Sequence, residues 1–117
     1  MSIRLSLPLP PSANRHWRHY RGRTVLSDEA ETFREQVAWL VADQCVPALL
    51  PTTRWKLRAT VYLSDWRRDI DNCAKELVDS LALPLGLNDR YLLECSLVRG
   101  DNDKANPRVE VQIEWEV

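Results

Sequence analysis

Three aspartates and one lysine carry the chemistry open to this sequence. The segment Arg67-Arg68-Asp69-Ile70-Asp71-Asn72-Cys73-Ala74-Lys75 sets Asp69 and Asp71 two residues apart. In extended backbone, side chains at i and i+2 project to the same side. Two carboxylates held that way repel each other unless a proton or a cation lies between them, and hard oxygen donors select magnesium or manganese over zinc. Asp89, beside Asn88 in a turn after a predicted helix, offers a third carboxylate. Lys75 follows Asp71 by four residues and shares its face if the segment is helical. An ammonium there would offset charge building on a phosphate. The same residues have a purely structural reading. Asp is a favoured N-cap, and Asp71, Lys75 and Asp79 form an i, i+4 ladder worth roughly 0.2–0.5 kcal/mol per pair. Spacing alone favours that structural reading.

A second feature is basic. The stretch Arg15-His16-Trp17-Arg18-His19-Tyr20-Arg21-Gly22-Arg23 holds four arginines and no acid. Guanidinium forks suit bidentate contact with phosphate, which would make binding salt-dependent. Trp17 or Tyr20 could stack on exposed bases, although packing back on the core is the commoner role. His16 and His19 have no Cys or carboxylate at a ligand spacing, so they are assigned to the surface or to DNA contact. Arg67 and Arg68 either guide a strand toward the acidic pair or neutralise it. The formal net charge is −1, so any nucleic-acid binding rests on distribution: residues 1–26 hold five arginines and no acid, residues 109–117 three glutamates and no base.

These residues need a scaffold, and 117 residues form one domain, 1–117. With 44% hydrophobic and 28% charged residues, the chain is expected to fold. Ile3, Leu5, Leu7 and Leu9 alternate, predicting a strand that Pro8, Pro10 and Pro11 limit. Residues 12–26 read as a long loop or a loose hairpin around Gly22. Ser27 is a candidate N-cap for a helix over 28–45, ended by Pro47 and Pro51. Trp55, Leu57, Ala59, Val61 and Leu63 give a second strand. Ile70, Ala74, Leu77, Val78 and Leu81 give a second helix, ended near Pro84 and Gly86. A less regular strand over 91–98 and a strictly alternating one from Val109 to Val117 follow. The order β-α-β-α-β-β predicts an α/β fold, a small mixed sheet with helices packed on it. Trp39, Trp55 and Trp115 fall on apolar faces and are expected in the core or a dimer contact.

No apolar run reaches the roughly 20 residues that span a bilayer, so no membrane partner is expected. Nor does the N-terminal stretch read as a signal peptide. Cys45, Cys73 and Cys95 are odd in number and widely spaced, fitting reduced thiols in a cytoplasmic protein rather than disulfides or zinc ligands. Cys73 has no nearby His to make it a nucleophile.

Several motifs in order resemble the RusA family of Holliday-junction resolvases. They are Pro10-Pro11-Ser12-Ala13-Asn14-Arg15 after the first strand, Arg21-Gly22-Arg23-Thr24 before the Ser-capped helix, Arg67-Arg68-Asp69-Ile70-Asp71-Asn72 with Lys75, Asp89 in its turn, and Pro107-Arg108-Val109-Glu110-Val111 at the end. The similarity covers nearly the whole chain. It implies that Asp69, Asp71 and Asp89 are metal ligands for Mg2+, with Mn2+ as a substitute, and that Lys75 is catalytic. It implies DNA contacts at Asn14, Arg15, Arg18, Arg21, Arg23, Arg67 and Arg68. The implied activity is a crossover junction endodeoxyribonuclease, a homodimer making paired symmetric nicks in four-way DNA junctions during recombination and repair. A nuclease for flaps or forks and a catalytically silent junction-binding module are the alternatives. One departure stands out: the family often has two adjacent acids at the third position, and here the first is Asn88.

Overall fold

The structure is a computed structural model. It describes residues 1–11, 17–47 and 49–116, with the backbone alone for 17–20, 23–26 and 72. The chain runs β1 (Ser2–Leu7), β2 (Trp17–Tyr20), β3 (Arg23–Leu26), α1 (Asp28–Asp43), β4 (Trp55–Tyr62), α2 (Ala74–Leu85), β5 (Leu92–Arg99) and β6 (Arg108–Trp115). Short 3-10 helices, Ile70–Cys73 and Asp89–Tyr91, lead into α2 and β5. The main sheet has the order β1-β6-β4-β5. β4 pairs parallel with β5 and antiparallel with β6, and β1 pairs antiparallel with β6. This is the expected small mixed α/β sheet, with β2 and β3 as an additional hairpin.

Period-two patterning puts the core on one face of the sheet. Leu5, Leu7, Trp55, Leu57, Ala59, Val61, Val109, Val111, Ile113 and Trp115 are buried there, against Phe33, Val37 and Val41 of α1 and Leu77, Leu81 and Leu85 of α2. Such burial is worth roughly 1.5–3 kcal/mol for each large side chain. Both helices lie on this face and run in the same direction. Arg34, near the middle of α1, meets Glu76 near the start of α2, and Ala38, Val41 and Ala42 line a cleft with Pro84 and Leu85 toward the ends of both. The other face carries Arg4, Ser6, Arg58, Thr60, Ser96, Glu110 and Gln112. Trp55 and Trp115 are buried as expected, but Trp39 is 77% exposed on α1 and belongs to no core.

The element ends show local chemistry. Ser27 caps α1, its hydroxyl accepting from the Ala30 N–H at 3.1 Å. α1 stops at Asp43, two residues before the expected end, because Cys45 takes a left-handed φ of 52° and turns the chain before Pro47 is reached. The expected helix from Ile70 divides: its first turn is 3-10 and α2 proper begins at Ala74. Pro84 does not end α2 but sits in its last turn. Gly86, at φ 74°, makes the stop, with Leu87 N–H donating to Ala82 O at 2.9 Å and Gly86 N–H to Leu83 O at 3.2 Å. That is a Schellman closure. In β5 the register with β4 jumps from Trp55↔Leu92 to Lys56↔Glu94, leaving Leu93 as an extra residue. This bulge explains the irregular alternation. The hairpin expected around Gly22 forms with Arg21 (φ 50°) and Gly22 (φ 74°) as its two turn residues, both left-handed as a type I′ turn requires. Among the described residues, no helix is long and apolar enough to cross a membrane.

Candidate active site

Asp69 is extended (φ −87°, ψ 139°) at the entrance of the 3-10 helix, and its carboxylate makes no capping hydrogen bond. Asp71 lies inside that helix, so the extended geometry expected of the pair holds for Asp69 alone. Both are exposed. Lys75, 80% exposed, pairs with Asp79 at 3.3 Å, the second rung of the expected ladder.

The loop before Asp69 is held from the sheet. Arg99, the last residue of β5, donates to the Arg68 carbonyl and, at 3.5 Å, to the Asp65 carbonyl. Its guanidinium also stacks on Trp66, 4.9 Å from the ring centroid. Arg68 donates to the Pro10 carbonyl at 3.5 Å, joining this loop to the segment after β1. The backbone N–H of Arg67 donates to the Asp65 carboxylate at 2.8 Å, while its side chain is 90% exposed. Gly100 follows Arg99 because a Cβ there would lie 2.5 Å from the Tyr62 ring, a contact that real side chains do not make.

Behind the acidic segment, α1 and α2 are joined by charge. Glu76, 3% exposed, accepts from Arg34 through both oxygens at 2.9 and 3.4 Å. Arg34 also lies 3.8 Å from Asp79, the partner of Lys75. The hydrogen bond that Arg34 donates to Glu76 raises the Arg34 pKa above its ordinary value, more than burial lowers it. Cys73 is buried and donates to the Ile70 carbonyl at 3.0 Å. Burial pushes its thiol pKa up, with Arg68 partly opposing, so it is held as the neutral thiol and not as a nucleophile.

Asp89 begins the second 3-10 helix. Asn88 caps it, its carboxamide oxygen accepting from the Arg90 N–H at 2.9 Å, and the Asn88 carbonyl accepts from the Trp55 indole at 2.9 Å. Asn88 is therefore spent on the turn, and the Asp89 carboxylate is exposed and unspent. Asp89 stands at the end of α2 opposite to Asp69 and Asp71. The 12 residues of α2 are about 18 Å of helix axis at 1.5 Å per residue. Among the described residues, no three acidic, histidine or cysteine side chains gather into a metal-holding group.

Of the basic positions, Arg67 and Arg68 directly precede Asp69, and Arg21 is exposed at the hairpin turn. Asn14, Arg15 and His16 lie outside the described residues, as do the side chains of Arg18, His19 and Arg23. The sequence reading missed Arg99, Trp66 and the Arg34–Glu76 pair. An Arg-Gly step closing a strand was the available signal for the first; nothing local marks the others, whose partners are 33 and 42 positions away.

The profile of a family described as Endodeoxyribonuclease RusA matches residues 8–114. A crossover junction endodeoxyribonuclease RusA of Escherichia coli K12 is 38% identical over 97 residues, spanning 81% of this chain and 80% of the relative. The protein of the same name from Enterobacteria phage 82 is also 38% identical, with the same coverage. That from Escherichia coli O139:H28 is 34% identical over 97 residues, again 81% of this chain and 80% of the relative.

Proposed function

Because the chain belongs to the RusA family of endodeoxyribonucleases, we propose that it resolves four-way DNA junctions by paired, symmetric, magnesium-dependent nicks, in recombination and repair. The observation that carries this reading is that Asp69, Asp71 and Asp89 are exposed carboxylates which neither capping nor a described ion pair consumes.

Their chemistry fits a hard divalent cation. When bound, magnesium, or manganese in its place, would supply positive charge to the phosphate and to an attacking water. One copy of the chain brings only Asp69 and Asp71 to the same end of α2, so the full donor set calls for a second copy. β5 is an edge strand, with Leu93 and Val98 54% and 58% exposed on it, and open edges pair with other chains. Two β5 strands pairing antiparallel about a two-fold axis would set the start of one, with Asp89, against the end of the other. That end holds the Arg99-clamped loop of Asp69. The homodimer would carry two such sites, matching the two-fold symmetry of a four-way junction.

Attack in line with the departing 3′ oxygen would leave a 5′-phosphate. Lys75 would exchange Asp79 for the reacting phosphate, since an exposed i, i+4 pair is worth only about 0.3–0.5 kcal/mol. Arg67, exposed beside Asp69, and Arg21 on the hairpin turn would neutralise backbone phosphates, and Asn14, Arg15, Arg18 and Arg23 extend that set. Arg68 gives one N–H to the Pro10 carbonyl, and its role divides between DNA and the loop.

The test is cleavage of a synthetic mobile four-way junction beside linear duplex and a flap, with magnesium and with chelator. Paired nicks in the junction alone, lost with chelator, are expected. Cleavage of flaps or forks in preference would redirect the substrate, and tight junction binding without cutting would make the chain a silent binding module.

A further inference from the structure

Trp66 is a large apolar ring left 72% exposed, on the loop three residues before Asp69. Exposure alone would mean little, since single apolar residues are common on surfaces. This ring, however, is backed. The Arg99 guanidinium stacks over it at 4.9 Å while its N–H groups are committed to the carbonyls of Asp65 and Arg68. The cation is thus held in place by the backbone of the same loop, and one side of the indole is supported while the remainder meets water. Arg67 next to it sends a 90% exposed side chain into solvent, where it can reach a phosphate. A supported aromatic surface beside an exposed guanidinium, whose ion pair with Asp65 is 3.7 Å long and open to solvent, is the arrangement that receives an unstacked nucleobase: the ring takes the base and the cation takes its backbone.

We propose that Trp66 is the platform on which an unpaired base at the branch point stacks, with Arg99 as the positioning residue behind it. This rests on the junction-cleaving reading and adds to it a means of telling a junction from duplex. Bases at the centre of a branched junction can leave the stack, whereas those of a duplex are already stacked on one another. Trp66 would therefore contribute to junction binding and to placing the adjacent phosphate at Asp69, and little to duplex binding, which is carried by phosphate contacts.

The experiment places 2-aminopurine at the branch point of a four-way junction and follows its fluorescence, alongside cleavage rates and binding to junction and duplex, for the wild type, Trp66→Phe and Trp66→Ala. Expected are quenching on binding for the wild type and Trp66→Phe, loss of quenching for Trp66→Ala, and about a tenfold or greater fall in junction affinity or cleavage for Trp66→Ala. Duplex affinity and thermal midpoint should stay unchanged. Arg99→Lys keeps a cation but loses the fork, and should give partial quenching. A Trp66→Ala protein with wild-type quenching and junction selectivity would overturn the proposal. So would one that loses duplex and junction binding equally, or whose oligomeric state changes, because Trp66 would then be serving the fold or an interface. If the wild type itself neither prefers nor cuts junctions, the functional reading fails and the inference falls with it, a result distinct from failure in the variants alone.

Discussion

The indole N–H of Trp55 donates to the carbonyl oxygen of Asn88 at 2.9 Å, so the turn that presents Asp89 hangs from the first residue of β4. Arg99 treats the Arg68 carbonyl in the same way one residue before Asp69. Each acidic turn is thus tied to the sheet by a side chain gripping the peptide just ahead of the aspartate. Trp55→Phe should keep most of the buried ring packing and lose the hydrogen bond. The expected cost is about 1–3 kcal/mol for a partly buried carbonyl left without its donor, read from the urea midpoint at unchanged slope. Cleavage should fall more than junction binding, because the turn carrying Asp89 loosens.

The Arg34–Glu76 pair should hold α1 and α2 in register. Arg34→Met keeps the stem and removes the charge opposite a carboxylate that is 3% exposed. Removing one partner of a fully buried pair costs about 3–5 kcal/mol. Arg34 leaves 28% of its side chain in water, which lowers the expectation to about 2 kcal/mol. Chemical denaturation at neutral pH checks it.

Asp69→Asn, Asp71→Asn and Asp89→Asn should each lower junction cleavage by at least about 100-fold, near 3 kcal/mol of transition-state stabilisation. Junction binding should be kept or improved, since a carboxylate repelling phosphate has been removed. A variant that still cuts at the wild-type rate would remove its aspartate from the proposed metal site.

The proposed sharing of the site between two copies makes a sharper prediction. Asp69→Asn and Asp89→Asn should each be inactive alone. Co-expressed with different tags and purified as a mixed dimer, they should place both substitutions in one site and leave the other intact. The mixed dimer should nick one strand of a junction without the paired second cut. Three carboxylates acting within a single chain would leave it inactive.

Thiol chemistry gives a test independent of DNA. Cys45 and Cys95 are exposed and Cys73 is buried, while desolvation raises the thiol pKa of Cys95 and of Cys73. Since the thiolate is the reactive form, alkylation at mildly alkaline pH should modify Cys45 first and Cys73 last, as followed by mass spectrometry. Cys73 should react only when the chain is denatured.

Strand alternation in Leu57, Ala59 and Val61, and again in Val109, Val111 and Ile113, was readable because a half-buried strand repeats every two residues wherever it sits in the chain. Ser27 announced the start of α1 for the same local reason, a side chain capping its own helix. The end of α1 was less legible, because the left-handed backbone at Cys45 is not announced by its residue type, whereas α2 stops where the sequence set its end, with Gly86 rather than Pro84 turning the chain. The Leu93 bulge blurred β5 because it exists only against the register of β4. Of the candidate site, the sequence by itself determined the residue types: Asp69, Asp71, Lys75 and Asp89, oxygen donors and a cation suited to phosphate chemistry, in an order shared with a nuclease family. Only the tertiary structure decided that α2 separates Asp89 from the other two, that Asn88 is consumed by its turn, and that Arg99 and Trp55 hold the two acidic turns. Those facts depend on contacts across 31 to 33 positions of chain. Side chains so far apart in sequence meet only after the sheet has assembled, so no spacing along the chain encodes them.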